Sequence, residues 1–291
     1  MDRPLPEITA NSELSDAIRS VCDGPQGLPE LEREACETTS VAVPFFASDA
    51  WETFCQTVLQ LWRERDHVIV RGLPALAEGA SLLLASLCLA GPFKTYRNGR
   101  IVKTFRMSPW TTDLSHTTRE GDFHTDINTD PEPPAVTAIQ CLTPDPGAPR
   151  YGVNRVARAA DLLAYLEANG SEDVLRFLCE TPVTMVNDRS QDAWTAPIVQ
   201  DDRIRFHPET IRAATRRFEI QVPEIEEHLA AIHAAALAVS APFELNAGDI
   251  LFVSNHRALH YRGECSVAFI DFPLEFRSRA IHVLHKMSEP Q

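Results

Sequence analysis

The sequence predicts an α+β fold in which helices pack around a β-sandwich or barrel. Two observations carry this. Helical periodicity is confined to the first part of the chain, to about 159–180 and to 223–240, while short strand-like runs fill the rest. The strand–helix alternation of a parallel sheet is therefore absent, and no glycine-rich phosphate loop follows any strand-like run. With 291 residues, 44% of them hydrophobic, the chain can bury one sizeable core, and β-sandwiches and barrels of this length are commonly single domains.

Taken in order, Ser12–Cys22 reads as a helix with Ser12 as its cap. Ser48 opens a clearer helix in which Trp51, Phe54, Val58, Leu61 and Trp62 recur at helical spacing, a core stripe. Asp66–Gly72 is a β-branched run ending in glycine, hence a strand. Ala80–Ala90 is a buried apolar helix, too short to span a bilayer, and Arg100–Met107 is strand-like. Residues 108–134 are rich in turn formers and read as irregular backbone, where chemistry tends to sit. Ala135–Leu142 reads as a buried strand, and Ala159–Leu166 and Ser171–Cys179 as helices. Thr184–Val186, Ala196–Val199 and Arg203–His207 read as short strands around a loop at Asn187–Trp194. Pro223–Ser240 is the longest predicted helix. Phe243–Leu245, Ile250–Ser254, Cys265–Asp271 and Ile281–Leu284 are the remaining strand candidates.

Charge narrows the function classes. The chain carries 41 acidic against 27 basic residues, a net charge of −14, which repels nucleic acid and anionic membranes at long range. Neither is expected as a partner. Seven scattered cysteines without a Cys-x-x-Cys pair suit a reducing cytoplasm, and the N-terminal residues lack the pattern of a signal peptide. The expected partner is a small molecule.

Three segments carry candidate chemistry. In Phe123-His124-Thr125-Asp126, residues two apart on extended backbone point the same way, so His124 and Asp126 converge on one ion. Imidazole with carboxylate suits divalent iron or manganese, although a lone His-x-Asp tripeptide also arises by chance. In the second segment, Gly248-Asp249 turns into an apolar strand whose end carries His256 and His260. Two histidines and one carboxylate form the facial triad of non-haem iron oxygenases and leave open metal positions. Spacing alone does not choose between His256 and His260. In the third segment, Arg277 and Arg279 flank an apolar run and need anionic partners, either surface acids or a bound carboxylate gripped by the planar fork.

Together the three segments resemble the iron(II)/2-oxoglutarate-dependent oxygenases of the taurine dioxygenase and clavaminate synthase-like branch. The order agrees: His-x-Asp, then a Gly-Asp turn into the second-histidine strand, then arginine. The resemblance implies a double-stranded β-helix (jelly-roll, cupin-like) core flanked by helices. It implies one domain over 1–291, with 1–95 a mostly helical flank and 96–291 the core with a helical insertion and lid. It implies Fe(II) held by His124, Asp126 and His260, with O2 and 2-oxoglutarate as cosubstrates. His260 is preferred because Asn255-His256-Arg257-Ala258-Leu259-His260-Tyr261-Arg262-Gly263 fits the family pattern. Arg279 best fits the arginine that pairs with the distal carboxylate of 2-oxoglutarate, with Arg277 as the alternative. Two features depart from the family. The stretch Gly147-Ala148-Pro149-Arg150-Tyr151 lacks the threonine or serine hydroxyl that often helps hold that carboxylate, and Val283 stands where many members have a second arginine.

The implied activity is hydroxylation of a small polar metabolite such as an amino acid. Arg106, Trp110, His116 and Asn128 are candidate substrate contacts, with Asn187–Trp194 as a lid. The rival readings are a zinc hydrolase on a β-scaffold, since zinc also accepts two histidines and a carboxylate, and a jelly-roll binding protein without turnover.

Overall fold

The computed structural model describes residues 4–23, 27–38, 44–76, 78–96, 98–187, 193–220 and 224–290. The chain opens with β1 (Glu7–Thr9), α1 (Ser12–Cys22), α2 (Leu28–Thr38), a 3-10 turn at Pro44–Ala47, α3 (Asp49–Arg65) and β2 (His67–Arg71). α4 (Ala80–Ala85) tightens into a 3-10 turn at Ser86–Cys88, and β3 (Lys103–Arg106) follows. Beyond an irregular stretch lie β4 (Val136–Thr143), β5 (Asn154–Arg158), α5 (Ala159–Ala168), α6 (Glu172–Cys179), β6 (Val183–Val186), β7 (Ala193–Ala196), β8 (Val199–Gln200) and β9 (Arg203–Ile204). The chain ends through α7 (Pro208–Phe218), α8 (Ile225–Val239), β10 (Ile250–Ser254), β11 (Ala258–Arg262), β12 (Val267–Asp271), β13 (Glu275–Ser278) and β14 (Ala280–Lys286).

The main sheet has the order β1-β2-β10-β4-β14-β3, antiparallel except for β1 beside β2. Alternation along its strands divides the core. Val68, Val70, Ile250, Phe252, Ala138 and Leu284 face α1, α3 and α4, where Ile18, Val58 and Trp62 fill the space. Ile69, Leu251, Val253, Ile139, Cys141, Ile281 and Val283 face the other way, toward Val156 of β5 and Ala258 of β11. β5 and β11 pair antiparallel from Ala258↔Arg158 to Arg262↔Asn154. Single bridges extend this small layer on both sides, His124↔His260 and Asn154↔Phe243. Its outer face, with Leu259 and Phe123, is covered by α5–α8.

Local chemistry explains the boundaries. Asn11 and Ser48 cap α1 and α3 by accepting from Leu14 N and Trp51 N, each such cap contributing about 1 kcal/mol. The Gly248-Asp249 turn needs its glycine: φ is +93°, and a Cβ there would lie 1.7 Å from Leu73 O. Asp249 ties the turn to the neighbouring strand, accepting from Arg71 Nη1 at 2.8 Å and Gly72 N at 3.1 Å. Buried Glu32 joins α2 to the β3 approach by accepting from Ile101 N and Val102 N, both at 2.9 Å.

Several expectations differ from what forms. α3, with 17 residues, is longer than α8, with 15; Pro223 lies outside the described residues. The strand expected over Arg203–His207 stops at Ile204, because Pro208 supplies a preset first helical turn and α7 begins there. Phe243–Leu245 contributes only the bridge at Phe243. α2, β5 and β11 have mixed patterns that periodicity did not reveal. Most of the expected Asn187–Trp194 loop, residues 188–192, lies outside the described residues. Among the described residues, no helix is long and apolar enough to cross a membrane.

Burial lowers the His67 imidazole to about 4, against an ordinary 6.5. Its Nδ1 lies 2.8 Å from Arg65 O. A base whose folded value is depressed takes up its proton first in the unfolded chain, so acid destabilises the fold between about pH 6.5 and 4. The expected slope from this group approaches 1.4 kcal/mol per pH unit. Denaturant unfolding at pH 7 and pH 5 should show a smaller acid loss in His67→Gln than in wild type; an equal loss would rule out His67 as its source.

Candidate metal centre

The site is assembled where the small strand layer meets the irregular 108–134 segment. His124 and His260 form a hydrogen-bonded antiparallel pair, His124 N to His260 O at 3.0 Å and the reverse at 3.1 Å. Directly opposed residues project to the same face, and the two rings lie 4.2 Å apart. Asp126 is two residues farther along the same extended edge. Asn255 holds that edge, with Oδ1 accepting from Asp126 N at 2.6 Å and Nδ2 donating to Asp126 O at 3.0 Å.

One nitrogen from each histidine and one Asp126 oxygen lie within 4.8 Å of one another. His124 Nε2 is 3.6 Å from Asp126 Oδ1, and His260 Nε2 is 3.7 Å from Oδ2. Two donors each about 2.1 Å from a shared ion are at most about 4.2 Å apart, so the His124–Oδ1 separation fits one metal. His124 Nδ1 donates to Asp122 O at 2.8 Å, which turns Nε2 toward Asp126 and selects the ligating tautomer. The donor set, two imidazoles and a carboxylate, suits divalent iron.

Asp126 has further partners that the sequence did not suggest. Its Oδ2 accepts from buried Thr137 Oγ1 at 2.9 Å and from His285 Nε2 at 3.0 Å. Tyr96 Oη hydrogen-bonds His285 Nδ1 in turn; burial, then the Asp126 charge, pushes the Tyr96 phenol up and keeps it a donor. One carboxylate oxygen is thereby occupied, and Oδ1 is directed at His124. Burial works against ionised Asp126, yet its carboxyl lies well below the usual range, with the His285 N–H donating to it. Burial, reinforced by neighbouring His124, drops the His260 imidazole to about 3 and leaves it neutral, as a ligand must be. Burial also lowers His124, yet Asp126 outweighs it and the net shift is upward. His207, carried in by Thr125 N donating to Phe206 O at 2.7 Å, sets its ring 4.8 Å from that of His124.

Arg279 is fully interior, 3% exposed, and its guanidinium donates to Gly152 O and Asn154 Oδ1, both at 2.7 Å. Among the described residues it has no ion-pair partner. Asn154 is two residues from Val156, the register partner of His260, so Arg279 reaches the same inward face as the triad. Burial lowers its affinity for a proton, the mark of a cation without a counter-ion. Arg277 is exposed on β13 opposite Ala268 and is not brought to this face. His256 is not in the triad group; its Nε2 faces Pro133 O at 3.3 Å.

The candidate substrate contacts scatter. Asn128 is buried, and its amide donates to Thr210 Oγ1 at 2.7 Å, tying the loop to α7. Arg106 is exposed on β3, and His116 packs on Phe105 with Nδ1 toward Arg106 O. Trp110 is exposed and touches Phe269 and Phe272 of the β12–β13 hairpin. On the helix side of Phe123, a cleft of about 350 Å³ holds a second group, Glu120, Asp122 and His233. Its acids already pair with Arg212 and His233 at 3.6–3.8 Å.

His285, Thr137 and Tyr96 had no motif to announce them. Alternation forward along β14 from Ile281 through Val283, and the pairing of β14 with β4 that sets His285 opposite Thr137, is the signal that places two of them together.

Comparison with known proteins bears on this geometry. No curated protein matches the sequence. Among solved structures, asparagine oxygenase with Fe(II), 3-hydroxyasparagine and succinate superposes with a TM-score of 0.68 at 16% identity, covering 97% of this chain and 94% of that one. The non-haem iron oxygenase OrfP with Fe and α-ketoglutaric acid gives 0.65 at 16% identity, covering 98% and 95%. PvcB from Pseudomonas aeruginosa gives 0.57 at 18% identity, covering 80% and 79%. At these identities the likeness is one of fold. The family model described as taurine catabolism dioxygenase TauD, TfdA family matches residues 40–267, well over half of the 291. The chain belongs to the TauD/TfdA dioxygenase family.

Proposed function

We propose that the protein is an iron(II)/2-oxoglutarate-dependent dioxygenase that hydroxylates an amino acid or a related small polar metabolite. The observation that carries this is the pairing of a two-histidine, one-carboxylate donor set with an interior arginine that has no counter-ion on the same face. A metal centre alone suits many hydrolases; an uncompensated buried guanidinium costs several kcal/mol and calls for an anion in the working state. The substrate class is supported by the neighbours, one holding 3-hydroxyasparagine and another hydroxyarginine. The two strand layers fit a double-stranded β-helix, and we read the chain as one domain over 1–291, with 1–95 as the flank and 96–291 as the core. All seven cysteines are free, which suits a reducing cytoplasm.

His124, Asp126 and His260 would hold Fe(II), which with 2-oxoglutarate and O2 supplies oxidative decarboxylation and removal of hydrogen from the substrate. Each remaining task falls to the chain. Thr137 and His285 occupy Asp126 Oδ2, which leaves one oxygen for the ion and keeps further coordination positions open. The Asp122 carbonyl orients His124. Arg279 fixes the distal end of the cosubstrate, so that its 2-oxo acid end meets the triad in one pose.

Iron-loaded protein should be given 2-oxoglutarate, O2 and each of the twenty L-amino acids in turn. At least one amino acid should raise succinate formation over the substrate-free rate and gain one oxygen by mass. A panel in which none does so would remove the amino-acid assignment.

A further inference from the structure

We propose that Arg262 joins Arg279 in a two-arginine clamp on the distal carboxylate of 2-oxoglutarate, taking the place of the hydroxyl that the 147–151 stretch lacks. This rests on the proposed dioxygenase reading and adds a residue that the sequence motifs used only as part of a turn. Arg262 is two residues past His260 on β11, so both project from the inward face. Its register partner is Asn154, and directly opposed residues on one face are about 5 Å apart at Cβ. The Asn154 amide oxygen is the acceptor of Arg279 Nη2, at 2.7 Å. Cys265 holds Arg262 from the other side: its thiol accepts from Arg262 Nη1 at 3.0 Å.

What the two guanidiniums lack is as informative as what they touch. Arg262 donates to Cys265 Sγ and to Arg119 O at 2.8 Å; Arg279 donates to Gly152 O and Asn154 Oδ1. All four acceptors are neutral, and among the described residues neither arginine forms an ion pair. Asp145 is the neighbouring acid, but its carboxylate is taken up by Gly147 N and by the amide and hydroxyl of Ser266. Two like charges sharing a low-dielectric interior repel each other and lose hydration. A carboxylate offers two oxygens and about four acceptor sites, enough for two forks. Arg262 also lies close enough to both Arg279 and His124 for its charge to act on each.

The test is anaerobic calorimetry with Mn(II)-loaded protein, using 2-oxoglutarate and 2-oxobutyrate, which has the same 2-oxo acid end and no distal carboxylate. Arg262→Gln should weaken 2-oxoglutarate about 10- to 100-fold, the range for a lost hydrogen bond to a charged group, and leave 2-oxobutyrate unchanged. Arg262→Lys keeps the charge without the fork and should fall between wild type and Arg262→Gln. It also serves as the test variant if Arg262→Gln fails to fold. A variant that binds 2-oxoglutarate as wild type does, or that loses both ligands equally, overturns the clamp and leaves Arg262 as a support for the 119–121 backbone. Wild type that binds neither ligand overturns the dioxygenase reading itself.

Discussion

Replacing Asp126 with alanine should lower affinity for Fe(II) by more than about 100-fold. The expectation comes from what the carboxylate does. It is the one anion of the donor set, and its two oxygens gather His124, His260, His285 and Thr137 around a single point. Alanine removes the charge and leaves the Thr137 hydroxyl and the His285 N–H without an acceptor. Removing only an outer partner typically costs 10- to 100-fold in metal affinity. His285→Gln, whose side-chain amide can still donate, should therefore fall within or below that range, and His285→Phe at its upper end. Anaerobic calorimetric titration with Fe(II) measures all three. If Asp126→Ala and His285→Phe bind iron alike, Asp126 is not a ligand.

The second large effect belongs to Arg279. Arg279→Gln should raise the Kd for 2-oxoglutarate by roughly 30- to 5,000-fold, which is the 2–5 kcal/mol cost of truncating one partner of a buried charge pair. Iron affinity should be unchanged, because Arg279 touches Gly152 and Asn154 and none of the three donors. The folded protein should lose little stability, less than about 1 kcal/mol, since no opposite charge is left bare inside. Together these results would mark a residue kept for a ligand and not for the fold. A stability loss of several kcal/mol with unaltered 2-oxoglutarate binding would point instead to a structural arginine.

The pairing of His124 with Asp126 and the strand entering at Gly248 were legible because each depends on local spacing. A step of two on extended backbone aims both side chains one way, and a Gly-Asp turn admits few residues. The choice of His260 over His256 was not local. It depends on the bridge between His260 and His124, residues from segments more than a hundred positions apart, which no spacing rule contains. The same holds for His285, Thr137 and Arg262. Each reaches the site through sheet register, His285 opposite Thr137 and Arg262 opposite Asn154. β5 and β11 themselves were missed because their residues face two different packing environments. Val156 and Ala258 face the inner core and Leu259 the helices, so polar and apolar residues do not alternate cleanly. Asn128 stands apart from these residues. Its place just past Asp126 suggested a substrate contact, whereas its amide turns toward Thr210.

The most direct measurement is the visible spectrum of the protein under strict exclusion of oxygen, with iron(II) and 2-oxoglutarate added separately and then together. A broad charge-transfer band should arise only when both are present, be absent from the variant carrying His124→Ala with Asp126→Ala, and disappear with formation of succinate when O2 is admitted. Wild type without the band, or a band that survives in the double variant, would contradict the account.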